Sequence, residues 1–214
     1  MMRIFVVGAT GRVASELVKD LVAKGHQVTA VARHPENVSL KDSPQVTAVK
    51  LDLHASKEEL VELIGQQDAI YFTAGSRGKD LLQTDAFGAV KTMQVAELNG
   101  IKRYIMLSSL HALEPEFWHE NGLAQIMDYN IAKFFADHYL VHNTDLDYTI
   151  LQPTALTEEP GTGKITVGAT KVSKNPIPDV ALTLAEILEH DNTRKKVIMM
   201  SSGDTPIAQA LANV

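Results

Sequence analysis

VVGATGRVASELV, residues 6–18, carries an apolar, strand-like run into a glycine turn and out again as a helix. Gly8, Gly11 and Ala14 fall at a G-x-x-G-x-x-A spacing on that junction. A helix N-terminus placed there offers unpaired backbone N–H groups and a partial positive charge, and glycines let a phosphate approach the backbone. The pattern is that of the first strand–turn–helix unit of a dinucleotide-binding fold, with a pyrophosphate over Gly8, Thr10, Gly11, Arg12 and Val13. Ala14 stands at the third glycine position, where the requirement is close helix-to-strand packing and alanine serves.

Outward from this turn, short apolar runs alternate with helical spacing. The runs are RIFVV (3–7), QVTAVA (27–32), VTAVK (46–50), AIYFT (69–73), RYIML (103–107), DYTIL (147–151) and KVIMM (196–200). Between them 13–24, 58–64, 84–99 and 123–142 read as helices, and Gly25 and Gly100 suit left-handed caps. Strand and helix in this alternation predict an α/β fold: a doubly wound parallel sheet with helices on both faces. The chain of 214 residues, 45% apolar, fits a single domain over 1–214. One segment, 153–179, is dense in Gly, Pro and Thr and reads as a loop-rich lid over a substrate site.

The cofactor follows from the strand ends. A dinucleotide without a 2′-phosphate meets an acid about 20 residues after the glycines, and the phosphorylated form needs arginine. Here Arg33 ends the second strand, the first acid is Glu36, and Arg12 projects from the turn. Two guanidinium groups suit a phosphate dianion, so NADP(H) is expected, with NAD the lesser alternative. Asp52 and Leu53, after the third strand, are placed to meet the adenine. Thr73, Ala74 and Gly75, after the fourth, form a small-residue shelf where the cofactor crosses the sheet edge.

Composition limits the rest. A formal charge of −6 without a long basic cluster excludes the electrostatic footprint of a nucleic-acid binder. The absence of cysteine excludes disulfides and thiolate chemistry. No leader-like segment or long apolar run is evident, so a cytoplasmic chain with a small-molecule partner, and neither nucleic acid nor membrane, is expected.

Within the 123–142 helix, DYNIAK (128–133) sets Tyr129 and Lys133 four residues apart. Such a pair shares a helix face, where a cation can favour the tyrosinate of an otherwise weakly acidic phenol. Leu123, Met127, Ile131, Phe134 and Val141 form the apolar arc, with the pair on its flank. The fifth strand ends in Ser108 and Ser109. With GATGRVA, the strand-end serines, YNIAK, DYTILQPTALTEEPGTG and PIPDVA in order, the whole chain resembles the short-chain dehydrogenase/reductase superfamily, in particular its small atypical branch of NAD(P)H-binding proteins. The resemblance implies that Tyr129 is the general acid and that Lys133 binds the nicotinamide ribose and tunes the tyrosine. It implies Ser109 as donor to the substrate carbonyl, with Ser108 the runner-up, and Pro153 against the nicotinamide.

Two departures stand out: little chain follows Pro153 to build a separate substrate domain, and Gln152 occupies a position where relatives commonly carry arginine. His138 and His142 share a face without a third ligand, so no metal is expected, and His111 reads as a loop histidine. Phe117 and Trp118 either line the cleft or anchor a short helix. The leading functional reading is an NADPH-dependent oxidoreductase acting on a small carbonyl or quinone-like compound. The alternatives are hydride delivery to a planar acceptor, as in flavin and biliverdin reductases, and an NADP(H)-sensing regulator without turnover.

Overall fold

The computed structural model describes residues 1–119 and 122–214. The order is β1 (Arg3–Val7), α1 (Arg12–Ala23), β2 (Gln27–Ala32), β3 (Val46–Lys50), α2 (Lys57–Ile64) and β4 (Ala69–Phe72). A π-helical stretch (Leu81–Gly88) then runs into α3 (Ala89–Leu98), followed by β5 (Arg103–Leu107), α4 (Met127–His142) and β6 (Asp147–Pro153). The remainder comprises β7 (Ala155–Thr157), β8 (Lys164–Val167), β9 (Lys174–Pro176), α5 (Ile177–Ile187), β10 (Lys196–Ser202), β11 (Thr205–Pro206) and α6 (Ile207–Ala212).

The main sheet runs β3-β2-β1-β4-β5-β6-β10-β8-β11. Every pair from β3 to β10 is parallel, and β8 and β11 close the edge antiparallel. Alternation along β1 builds two cores. Ile4 and Val6 join Leu17, Leu21, Val180 and Leu184 under α1 and α5, while Phe5 and Val7 join Leu60, Met93 and Leu140 under α2, α3 and α4. The sheet is therefore covered on both faces, as a doubly wound parallel fold requires. Strand order reverses between β1 and β4, which opens a crevice at the carboxyl ends of those strands. Among the described residues no helix is long and apolar enough to cross a membrane.

The structure differs from the sequence reading in three places. Segment 153–179 is not one long loop, because β8 joins the main sheet and β7 pairs with β9 in a separate parallel ladder. Helix 84–99 begins as the wider π-helical stretch. The arc of α4 that faces the protein is Ala132, Lys133, Ala136, Asp137 and Leu140; Ile131, Phe134 and Val141 are only half-buried. Alanines let α4 approach the sheet closely, and the polar residues of that arc find partners at the strand ends, so the large apolar residues do not set its inner face.

Candidate active site

The crevice is a cleft of about 460 Å³. Gly8, Thr10, Gly11, Arg12 and Val13 form one wall, Arg33, Asp52 and Leu53 another, and Thr73, Ala74 and Gly75 the floor near the switch point. The two glycines do different work. Gly8 sits at φ +81°, and a Cβ there would lie 2.6 Å from the Cα of Ala74, so it lets β1 and the end of β4 meet. Gly11 has an ordinary φ of −67°, and a Cβ there would meet only the Gly8 carbonyl oxygen closer than 3.9 Å, at 3.2 Å. Its lack of a side chain serves the open cleft. Gly11 caps α1 without a side-chain hydrogen bond and no acid lies in the first turn, which leaves the helix N-terminus free for an anion.

Charge in the cleft has the opposite sign to that of the chain. Beside Arg12 and Arg33 stand His54, Arg77 and Lys79, with Asp52 as an acid among them. Arg12 is engaged by Glu158, just after β7, with Nη1 to Oε1 at 2.6 Å across the cleft mouth. Arg33 is exposed. Its charge adds to hydrogen bonds from Thr84 and His54 that hold the Asp80 carboxyl below the usual carboxylate range. Ser76 lines the cleft with its hydroxyl turned into the protein, and the Asp85 carboxylate accepts from the Ser76 N–H at 2.9 Å; among the described residues neither that hydroxyl nor Asp85 Oδ1 has a partner. An open helix terminus and a cationic rim fit a dinucleotide carrying several phosphates. Sequence reasoning passed over His54, Ser76, Arg77 and Lys79, because loop residues carry no periodicity and only the strand ends mark where they lie.

Tyr129 and Lys133, both on α4, are not among the residues that line that cleft. The Lys133 side chain is buried, its Nζ donates to the Leu107 carbonyl at 3.2 Å, and it lies 5.7 Å from the centre of the Tyr129 ring and 5.9 Å from that of Phe72. Leu107 lines the cleft, so the ammonium sits one residue from its wall. Tyr129 is half-buried. Burial pushes its phenol pKa up, the Lys133 charge pulls it down, and the carboxylates of Asp85 and Asp137 add to the rise.

The serines separate cleanly. The Ser108 hydroxyl donates to Asp137 Oδ2 at 2.6 Å and is occupied. Ser109 lines a second, mostly apolar pocket of about 220 Å³, whose wall also includes Leu110, Leu123, Ile126, Pro153 and Val172, with Thr154 as its other hydroxyl. Pro153 thus belongs to this apolar pocket and not to the cleft wall. His111 is buried at φ +56°, with Nδ1 on Glu114 and Nε2 3.1 Å from the Thr170 carbonyl; it is no free donor but a tie to segment 153–179. Phe117 stacks on that imidazole at 4.4 Å and the Trp118 indole donates to the His111 carbonyl at 2.9 Å, so both anchor the loop. His138 and His142 lie side by side at the exposed side of α4, ring centres 4.4 Å apart and planes tilted by 46°.

A parallel sheet with a glycine turn and an open helix terminus at its switch point defines a Rossmann-type nucleotide-binding protein. The profile of the NAD(P)H-binding family matches residues 8–191, and the chain belongs to that family. It is 37% identical to the uncharacterized sugar epimerase YhfK of Bacillus subtilis, over 98% of this chain and 99% of that one. It is 34% identical to the UPF0659 protein YMR090W of Saccharomyces cerevisiae, over 100% and 99%. The crystal structure of the oxidoreductase ylbE from Lactococcus lactis superposes with a TM-score of 0.95 at 45% identity, covering 100% of this chain and 96% of the other.

Proposed function

We propose that this protein is an NADPH-dependent reductase of a compact, largely apolar carbonyl or quinone-like compound. The observation that carries the reading is the buried Lys133 held at the end of β5 with Tyr129 over it. Burying an ammonium is costly, and one carbonyl leaves donors over for a ligand. The glycine turn and the α1 N-terminus would hold the pyrophosphate, Asp52 and Leu53 the adenine, Arg12 and Arg33 the 2′-phosphate, and Lys133 the nicotinamide ribose. Bound in this way, the dinucleotide would supply a hydride. Ser109, whose hydroxyl makes no hydrogen bond to another described residue, donates to the substrate carbonyl. Tyr129 gives its proton to the alkoxide that forms, and the Lys133 charge steadies the tyrosinate left behind; such a proton donor contributes about 10² to 10⁴ in rate.

The pocket beside Ser109 supports a small apolar body and leaves little room for a sugar nucleotide. The Bacillus subtilis relative bears the name of a sugar epimerase and the Lactococcus lactis structure that of an oxidoreductase; pocket size favours the second. The test is NADPH oxidation measured with benzaldehyde and with 1,4-benzoquinone and, in parallel, chromatographic detection of the epimer formed from a UDP-hexose in the presence of the oxidised dinucleotide. Turnover of the aldehyde or quinone supports the proposal. Conversion of the UDP-hexose overturns it in favour of epimerisation, and tight NADPH binding with no turnover of any acceptor overturns it in favour of a redox sensor.

A further inference from the structure

Asp137 is fully buried on the inner face of α4, four residues beyond Lys133 and eight beyond Tyr129. Its Oδ2 accepts from the Ser108 hydroxyl at 2.6 Å and from the Gln152 amide at 3.0 Å, while Oδ1 has no partner among the described residues. A buried carboxylate is ordinarily retained because a cation is fixed on it. Here the residue reaching it from β6 is a neutral amide, and Lys133, the cation nearest along the helix, is bonded to Leu107 and makes no ion pair with Asp137 at contact distance. The ionisable groups that face this line are Lys133 and Tyr129 on α4 and Asp85 on the π-helical stretch, which bears on Tyr129.

Resting on the Tyr129/Lys133 reading above, we propose that Asp137 is a positioning residue for the dyad: on the same face of α4 as Lys133 and Tyr129, with no cation fixed on it among the described residues, its change of charge tunes the Tyr129 phenol as a proton donor. Burial raises the Asp137 pKa to about 6, against hydrogen bonds from Ser108 and Gln152 and the Lys133 charge. The carboxyl is neutral in mild acid and ionised at neutral pH. When it is ionised, its negative charge offsets part of the Lys133 field and makes Tyr129 a poorer proton donor. When it is neutral, the lysine acts on the phenol unopposed. Eight helical residues offset the two positions by about 12 Å along the axis. A unit charge at that range in a protein interior moves a pKa by about one pH unit at most.

The test needs no substrate for its first arm. The Tyr129 ring resonance in ¹³Cζ-tyrosine-labelled protein, assigned by its loss in Tyr129→Phe, is titrated in wild type and in Asp137→Asn, which keeps the shape and the acceptor for Ser108. The Asp137 carboxyl carbon is titrated in wild type and in Ser108→Ala. The Tyr129 titration should fall by up to about one pH unit in Asp137→Asn, and the Asp137 titration should rise in Ser108→Ala, which removes a donor to the ionised form. The second arm follows benzaldehyde reduction against pH: an inflection at the measured Asp137 pKa should be present in wild type, displaced upward in Ser108→Ala and gone in Asp137→Asn. An unmoved Tyr129 titration in Asp137→Asn, or an inflection that persists in that variant, overturns the proposal. Should Tyr129→Phe turn over as wild type does, the dyad reading fails instead, while the resonance arm still decides whether Asp137 governs the phenol.

Discussion

Gly11→Ala asks whether a nucleotide lies on the turn, because the structure sets the cost to the fold apart from the cost to the ligand. At φ −67° alanine is unstrained, and its Cβ meets only the Gly8 carbonyl oxygen at 3.2 Å before reaching the Ala14 methyl at 3.9 Å. Replacing glycine at a compatible position gains about 0.4–1 kcal/mol through the unfolded chain. The tight contact and the poorer helix cap take back a similar amount. The net change should stay within about 1 kcal/mol, a Tm shift of roughly 2–4 °C for a domain of this size. The ligand fares differently, because a methyl in front of the α1 N-terminus pushes a pyrophosphate away from its N–H donors. Hydrogen bonds to charged groups are worth about 1.5–3 kcal/mol each, so NADPH affinity should fall by about tenfold or more. Calorimetric titration and a thermal melt on one preparation measure both. Gly8→Ala is the contrast: φ +81° and a Cβ 2.6 Å from the Ala74 Cα should destabilise the protein itself. An unchanged NADPH Kd in a folded Gly11→Ala protein would refute the placement of the pyrophosphate.

Replacing Arg12 and Arg33 together by alanine should abolish a preference for NADP(H) over NAD(H), read as the ratio of dissociation constants; equal affinities in the unmutated protein would remove the basis for the 2′-phosphate assignment. Glu158→Gln frees Arg12 from its 2.6 Å partner and, since exposed pairs contribute about 0–1 kcal/mol, should tighten NADP(H) binding by up to about fivefold at low salt and leave NAD(H) binding unchanged. Asp137 bears on stability as well. Its folded pKa of about 6 lies above the usual 3.8, so the folded state holds the proton more tightly, and the stability this confers is complete below the usual value and is lost as pH rises through about 6. Urea unfolding should show wild type losing on the order of 3 kcal/mol across that window from this group, and Asp137→Asn lacking that part of the slope.

The central strands were legible because each is an apolar run bounded by a turn signal, and the glycine turn because Gly8 and Gly11 stand at a fixed offset from β1. The edge strands β8 and β11 were not legible. Lys164–Val167 and Thr205–Pro206 are too short for alternation to show, and their place is set by β10 once the sheet exists. The dyad spacing is visible in DYNIAK, yet the inner face of α4 is not, because a hydrophobic pattern cannot say that Lys133 and Asp137 will be buried. Their burial depends on partners at Leu107, Ser108 and Gln152, which reach them only across the folded sheet. The separation of Ser108 from Ser109 has the same origin, since only the position of Asp137 tells the two hydroxyls apart.

The most direct measurement is the pair of constants for Tyr129→Phe: kcat for benzaldehyde at saturating NADPH, and the NADPH Kd. Phenylalanine keeps the ring over Lys133 and deletes only the hydroxyl, so kcat should fall by about 10² to 10⁴ with the Kd nearly unchanged. A kcat within twofold of wild type would contradict the account and show that the proton does not come from Tyr129.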